Sequence, residues 1–282
     1  MAYLLRLLTT QLICSQTFVK IPIPTSISVY MEPPLFTDRQ FEILKLMADG
    51  YKRHEIAAAL NLSPETIKSH SKTILGKFGV TTFREAYADI HNYLKYYSLG
   101  QSTGRHYLAK VRRTITIGRD YNSAHIQHNA HGYVVRGSVS ELKIRFRSPL
   151  CPRDVFINGT PPTRTEFSGE FRGFFLDIDS PLQQDDRLIR NASYVYSEPS
   201  GILVSFAAEH IICPIGELTI VAKFPSDPPK NIRFSVINEE GTLDMRDRHP
   251  ECTFEIGRIT TITVNNPEFG ARYMVHWNPV TP

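Results

Sequence analysis

The chain has 282 residues, of which 41% are hydrophobic, and its formal net charge is +4. This length and apolar content are sufficient for two domains, each with its own hydrophobic core. The positions of the cysteines exclude a small disulfide-rich protein and a zinc finger. Cys14, Cys151, Cys213 and Cys252 are scattered along the chain and do not have the spacing of zinc ligands. We therefore expect reduced thiols and no structural metal.

Residues 1–33 begin with an apolar stretch that is too short to span a bilayer. The leucines between Leu4 and Leu12 are interrupted by Arg6 and by threonine and glutamine residues. We predict a leader or disordered segment, with Met31 as the preferred natural start, and no membrane partner.

Residues 34–97 have the capping residues and the apolar spacing of four short helices. Thr37 and Gln40 form a capping-box pattern, and Gly50 can supply the left-handed stop of a first helix that ends near Asp49. A second helix is predicted from about Arg53 to Leu60.

The third predicted helix has the strongest local start signal. Ser63 suits the N-cap position and Pro64 the first helical position. Its mostly apolar stripe consists of Ile67, Ser71, Ile74 and Phe78, whereas Glu65, Lys68, Ser69, Lys72 and Gly76 occupy the opposite face. A second capping box, at Thr82 and Glu85, opens a fourth helix that continues through Leu94.

The exposed face of the third helix is small, polar and basic. Ammonium groups there can meet phosphates or the O6 and N7 atoms of guanine, and short side chains permit close approach to a DNA major groove. From spacing alone, a solvated helix face is an equal alternative.

One set of residues matches a known pattern throughout this segment. The matching residues are Thr37, Arg39, Glu42, Ile43, Leu44, Ala48, Gly50, Glu55, Ile56, Ala57, Leu60, Ser63, Thr66, Ile67, Lys68, His70, Ile74, Lys77, Phe78, Gly79, Val80, Arg84, Glu85 and Ala86. The segment from Phe36 to about Ile90 resembles the LuxR-type, or GerE-type, helix-turn-helix of bacterial transcriptional regulators. This resemblance implies a third helix that contacts double-stranded DNA and a fourth helix that often contributes to a homodimer.

The resemblance also assigns positions at the DNA interface. It implies that Lys68, Ser69 and Lys72 face bases and phosphates, and that Thr66 and His70 support or contact the backbone. Lys52 and Arg53 correspond to further backbone contacts, although Arg53-His54 replaces the usual Asn-Lys pair. Phe83 departs from the pattern as well, because a polar residue is usual there. A sigma-factor-like promoter-binding helix-turn-helix is the nearest alternative, and the Lys77 to Val80 turn favours the LuxR type.

The charge is unevenly distributed along the chain. From Pro34 to Asp120 there are fourteen basic and eight acidic residues, a net of +6, whereas from Tyr121 onward there are sixteen basic and nineteen acidic residues, a net of −3. This uneven charge is consistent with DNA binding by the N-terminal part of the chain, because phosphate binding requires positive charge where the DNA lies.

The pattern changes after the helices. Residues 98–110 are predicted as a linker, and residues 111–282 as an all-β domain, because apolar and polar residues alternate in short runs between turn clusters. Leu142, Ile144 and Phe146 form one such run, and Tyr273, Val275 and Trp277 another. We predict an antiparallel sandwich of regulatory or interaction type.

The sequence of the β half contains none of the common catalytic motifs. It lacks a phosphate-binding glycine loop, a nucleophile elbow and a His-Glu-x-x-His helix. His125, His128 and His131 would not converge on a metal in an extended strand, and Asp177, Asp179, Asp185 and Asp186 lack calcium-loop spacing. We interpret Tyr273 and Trp277 as core residues, and we expect no catalytic residue, cofactor or metal.

The predicted fold class is α+β multidomain, with a four-helix LuxR-type domain followed by a mostly antiparallel β-sandwich. The predicted function is sequence-specific DNA binding by a bacterial cytoplasmic transcription factor that associates with the nucleoid, with an unknown ligand or protein partner at the β domain. The alternative is a protein-interaction or ligand-binding β module in which the helical domain serves for dimerisation.

Overall fold

A computed structural model of the chain describes residues 33–97, 105–119, 121–147, 152–168, 171–197, 206–229, 231–238 and 241–278. The predictions for the leader segment, for residues 98–104 of the linker and for Cys14 and Cys151 lie outside these described residues.

Four helices form the N-terminal part of the described chain: α1 Asp38–Ala48, α2 Arg53–Leu60, α3 Pro64–Lys77 and α4 Phe83–Tyr97. The predicted caps are present. The Thr37 hydroxyl accepts from the Gln40 backbone N–H at 3.2 Å, and the Gln40 side chain accepts from the Thr37 N–H at 3.3 Å. Ser63 accepts from the Thr66 N–H at 3.1 Å and so satisfies a free donor at the start of α3.

The helices enclose a small apolar core. Its buried residues within the helical region are Phe36, Phe41, Ile43, Leu44, Ile56, Ala57, Ile67, Ile74, Ala86, Ile90, Tyr93 and Tyr97. Burying each large side chain stabilises the fold by about 1.5–3 kcal/mol. Tyr107 and Val135 of the β domain belong to the same cluster, so the two domains share packed side chains.

The rest of the described chain is rich in strands. In chain order they are β1 Arg105–Ile117, β2 Ser123–Arg136, β3 Val139–Arg147, β4 Arg153–Ile157, β5 Arg164–Ser168, β6 Phe171–Leu182, β7 Arg187–Ser197, β8 Phe206–His210, β9 Ile215–Lys223, β10 Arg233–Asn238, β11 Gly241–Asp244, β12 Thr253–Glu255, β13 Ile259–Asn265 and β14 Arg272–His276. A short helix, α5 Met245–Arg248, follows β11.

The strands form three sheets around one core. The seven-stranded sheet has the order β12-β13-β9-β1-β2-β7-β4, the four-stranded sheet β11-β10-β14-β8, and the three-stranded sheet β3-β6-β5. The buried core includes Ile126 of the first sheet, Tyr273 of the second and Phe174 of the third. The prediction of mostly antiparallel strands is confirmed. Among the described strand pairs, β1 and β9 alone run parallel.

Strand β1 begins at Arg105, within the range 98–110 for which the sequence predicts a linker. Its first residues are ordered by pairing on both sides. Leu108 lies opposite Gly132 of β2 and opposite Ile215 of β9. Because Tyr107 and Leu108 are buried there, tertiary packing extends the strand towards the helices.

None of the helices in the described part of the chain is long and apolar enough to cross a membrane.

Candidate nucleic-acid interface

Helix α3 is held rigidly by its apolar face. Ile67 and Ile74 are fully buried in the helical core, where α3 packs against α1 and α2. Replacing such a residue by alanine typically costs about 2–5 kcal/mol, so this face fixes the position of the helix. The opposite face of α3 is therefore presented on a preorganised support.

The exposed face of α3 carries the predicted basic residues. Lys68, Ser69 and Lys72 are exposed, and the Lys68 side chain is 61% accessible. Lys68 Nζ lies 3.5 Å from Glu65 Oε2, one turn earlier, whereas Lys72 has no ion-pair partner within the described residues. An exposed ion pair of this kind contributes little, about 0–1 kcal/mol, so Lys68 can exchange Glu65 for a phosphate.

Gly76 continues this face at the end of α3. A Cβ atom built at Gly76 would meet nothing within 4 Å, so the protein interior does not require glycine there. Because Gly76 has no side chain, nothing projects from the helix surface at this position beside Lys72. A helix surface without a projecting side chain allows a nucleic-acid backbone to approach closely.

The other predicted contact residues have different surroundings. The Thr66 hydroxyl lies 2.8 Å from Ser63 Oγ and supports the start of α3, while His70 is half-buried beside the exposed face. Lys52 and Arg53 are exposed at the start of α2, where the Lys52 backbone N–H donates to Glu55 Oε2 at 2.6 Å. Their charges thus extend the basic surface to a second helix N-terminus.

Lys77, in the last turn of α3, is also exposed, but its ammonium group contacts other parts of the protein. Its ammonium group donates to the Leu35 carbonyl oxygen and, at 3.0 Å, to Gln40 Oε1. It also lies 5.2 Å from the centre of the Phe36 ring. Lys77 therefore ties the end of α3 to the segment that precedes α1, a role that its sequence position did not indicate.

Several side chains join the helical domain to the β domain. The Arg136 guanidinium lies 3.6 Å from the centre of the Phe41 ring, and its Nη2 atom is 3.4 Å from Asp38 Oδ1. The ring of Tyr96, in α4, packs at a tilt against Phe269, with 4.5 Å between ring centres. These contacts involve α1 and the end of α4, and they leave Lys68, Ser69 and Lys72 exposed.

The β domain contains a largely buried polar cluster that the sequence analysis missed. Arg113 donates to Glu209 Oε2 at 2.8 Å and to Tyr194 Oη at 2.9 Å, and His128 Nε2 lies 3.1 Å from Glu209 Oε1. Burial alone would raise the pKa of Glu209, but His128 and Arg113 together hold the pKa of this carboxyl well below its usual range. The Glu209 carboxylate is consequently a poor proton acceptor, and it connects β8 to β1 and β2 across the core.

The histidine triplet is divided between the two faces of β2. His128 is buried, whereas His125 and His131 are exposed, because neighbouring positions in a strand point to opposite sides. No group of metal-ligating side chains occurs among the residues that the structure describes. Tyr273 and Trp277 are buried in the core, as the alternation predicts.

Comparison with known proteins identifies the helical domain. Residues 34–88 match the family of bacterial regulatory proteins of the luxR type. The four helices form a LuxR-type helix-turn-helix domain. The predicted resemblance of this segment to the LuxR type is confirmed.

Curated relatives match the same part of the chain. The response regulator proteins VraR of Staphylococcus aureus, Staphylococcus saprophyticus and Staphylococcus epidermidis are each 40% identical over 63 residues, or 22% of this chain. The match spans 30% of the length of each relative, so it concerns the LuxR-type domain.

Solved structures give distant likenesses over a larger part of the chain. A putative protease from Parabacteroides distasonis covers 62% of this chain with a TM-score of 0.37 and 10% identity, and 40% of that protein is covered. An M1 zinc metallopeptidase from Deinococcus radiodurans covers 64% with a TM-score of 0.36 and 11% identity, and 44% of it is covered. TM-scores this low carry no statement about activity.

Proposed function

We propose that this protein is a sequence-specific DNA-binding transcription regulator that acts in the bacterial cytoplasm on the nucleoid. The observation that carries this proposal is the exposed basic face of α3, which a rigid apolar core presents within a LuxR-type domain. The relatives that match this domain are response regulators, which supports the same function.

The contacts follow from the positions of the charges. Lys68 and Lys72 lie one turn apart on α3 and can meet a phosphate or the O6 and N7 atoms of a guanine, with Ser69 beside them. Lys52 and Arg53 add phosphate contacts at the start of α2, where the helix dipole also favours an anion. Thr66 and His70 support this surface.

The fourth helix supports a homodimer. Phe83, Tyr87 and His91 form an aromatic stripe along α4, with ring centres 5.9 Å and 4.3 Å apart. Tyr87 is 55% exposed, although its neighbours on the stripe are half-buried. Two copies that pair through this stripe would place two α3 helices on a two-fold symmetric site.

The β domain supplies the regulatory part of the proposed function. It shares a packed boundary with the LuxR-type domain, so a ligand or protein partner that binds it can act on the DNA-binding helices. In this proposal the protein acts by binding DNA and a ligand or partner, and not by turnover.

The deciding experiment is selection of bound fragments from sheared genomic DNA by the purified protein. Wild type is compared with a Lys68→Ala/Lys72→Ala variant and with a Lys45→Ala/Lys110→Ala control, which removes two exposed lysines from α1 and β1. We expect wild type and control to enrich a shared two-fold symmetric motif, and the α3 variant to enrich none. Each lost lysine–phosphate contact should also lower the slope of log affinity against log salt by about one unit.

Two results would contradict the proposal. Equal enrichment by the α3 variant would show that α3 does not contact DNA, and the failure of all three folded proteins to enrich any motif would favour the β-module alternative. A motif with a single half-site would count against the dimer.

A further inference from the structure

A cleft of about 460 Å³ lies where the segment before α1 meets the β domain. We call it the junction cleft. Its lining residues are Pro33, Leu35, Gly132, Tyr133, Asp185 and Arg187. Since small-molecule sites in proteins commonly measure about 300–1,000 Å³, the junction cleft has room for a compact ligand.

The junction cleft presents one carboxylate and one guanidinium that are free to bind. Asp185 and Arg187 are exposed, and in the described part of the chain neither side chain makes an ion pair or a hydrogen bond. A ligand ammonium group suits Asp185, and a ligand carboxylate suits the planar fork of Arg187. The two charges together therefore select a zwitterion.

The remaining walls are apolar or formed by backbone. Pro33 and Leu35 are half-buried and offer an apolar wall for a ligand side chain. Gly132 contributes only backbone, because a Cβ atom there would lie 1.8 Å from the Tyr107 carbonyl oxygen. An apolar surface beside two opposite charges matches the make-up of an amino acid.

The junction cleft is also connected directly to the DNA-contacting helix. The Tyr133 hydroxyl donates to the Pro33 carbonyl oxygen at 3.1 Å, and the Gln184 amide donates to the Phe36 carbonyl oxygen at 2.9 Å. Between these two anchored residues, the Leu35 carbonyl oxygen accepts from Lys77 of α3. A ligand that moves or immobilises the Pro33 to Leu35 segment acts on α3 through a single hydrogen bond.

We propose that the junction cleft binds a small zwitterion, an amino acid or a short peptide, and that its occupancy changes the affinity of α3 for DNA. The second half of this inference rests on the proposed DNA-binding function, whereas ligand binding does not. Because such coupling is reciprocal, DNA should change the affinity for the ligand by the same factor.

The ligand site is tested with the full chain and a panel of the twenty amino acids and diglycine, first by thermal shift and then by calorimetry. The cleft variants are Asp185→Asn and Arg187→Gln, and the controls are Asp179→Asn and Arg112→Gln, which make the same charge changes at exposed positions elsewhere in the β domain. Asparagine suits position 185 because the backbone there has φ of 75°, a conformation that asparagine tolerates.

We expect at least one compound to bind wild type and both controls saturably. Each cleft variant should bind it about tenfold more weakly or worse, since each loses a charge-assisted hydrogen bond. If no compound of the panel binds wild type, or if the cleft variants bind as tightly as the controls, the ligand site is wrong.

The link to DNA is tested by measuring the affinity for the selected motif with and without the bound compound. We expect a change of about fivefold or more in wild type and a smaller change in Lys77→Met, which keeps the aliphatic stem but cannot donate to Leu35. An unchanged DNA affinity on saturation with the compound would overturn the link. A chain that binds the compound but no DNA would overturn the proposed function and leave the ligand site established.

Discussion

Glu209 is a largely buried carboxylate, and its contacts with Arg113 and His128 connect strands of two different sheets. Its side chain is 12% exposed and accepts from Arg113, which is 20% exposed. Removing one partner of a buried ion pair leaves an uncompensated charge, which typically costs about 3–5 kcal/mol. Arg113 would be left in that state, with Tyr194 as its remaining hydrogen-bond partner in the part of the chain that the structure describes.

Glu209→Gln should therefore lower the free energy of unfolding at pH 7 by about 3 kcal/mol or more, as measured by urea denaturation with Trp277 fluorescence. Because the pKa of Glu209 is lowered in the folded state, its contribution is complete above the ordinary carboxyl pKa of about 4.3 and is lost as the pH falls further towards the folded value. The difference between wild type and variant should accordingly shrink below about pH 4.

Glu255→Gln, at an exposed position, is the control. A constant difference at all pH values would exclude Glu209 as the source.

At the scale of the element, α3 combines a tightly packed face with a glycine where packing needs none. Gly76 is helical and has open space around its Cα, whereas Gly79, just beyond the helix, has φ of 71°. The same glycine-to-alanine change should thus have opposite effects at the two positions. Alanine is favoured in a helix, but a left-handed backbone disfavours any Cβ atom.

Gly76→Ala should raise the free energy of unfolding of the helical domain by about 0.5–1 kcal/mol, and Gly79→Ala should lower it by about 1 kcal/mol. Circular dichroism at the helix band during urea denaturation measures both changes. A destabilising effect of Gly76→Ala would contradict the open space found around Gly76.

At the scale of the whole molecule, one planar cation makes two of the contacts between the two domains. Arg136 covers the Phe41 ring at 3.6 Å, while its ion-pair partner Asp38 has a side chain that is 88% exposed. The stacking contact should dominate, because a guanidinium over a partly desolvated ring contributes about 0.5–2 kcal/mol and an exposed ion pair about 0–1 kcal/mol.

Arg136→Lys should therefore loosen the domain contact although it keeps the charge, and Asp38→Asn should change little. Trp277 is the single tryptophan and lies buried in the β domain, so its fluorescence follows that domain, while circular dichroism follows the helices. We expect Arg136→Lys to shift the helix transition to lower urea and to leave the Trp277 transition in place. Equal effects of the two substitutions would mean that the ion pair, and not the stacking, holds the domains together.

Local chemistry was sufficient to predict the helical domain and its exposed basic face. The caps at Thr37 and Ser63, the proline at Pro64 and the apolar stripe through Ile67 and Ile74 act within a few residues of one another. Their effects on the backbone are therefore visible in the sequence. Alternation in the second half likewise predicted short, mostly antiparallel strands.

Tertiary structure alone decided which strands are neighbours and where the domains meet. The parallel pairing of β1 with β9 and the contact between Arg113 and Glu209 join residues about a hundred positions apart. The same applies to Gln184, which anchors Phe36 beside the junction cleft. The spacing of hydrophobic residues indicates which face of a strand is buried, but it does not indicate which strand lies beside it. These contacts, and the cleft that they form, therefore exist only in the packed chain.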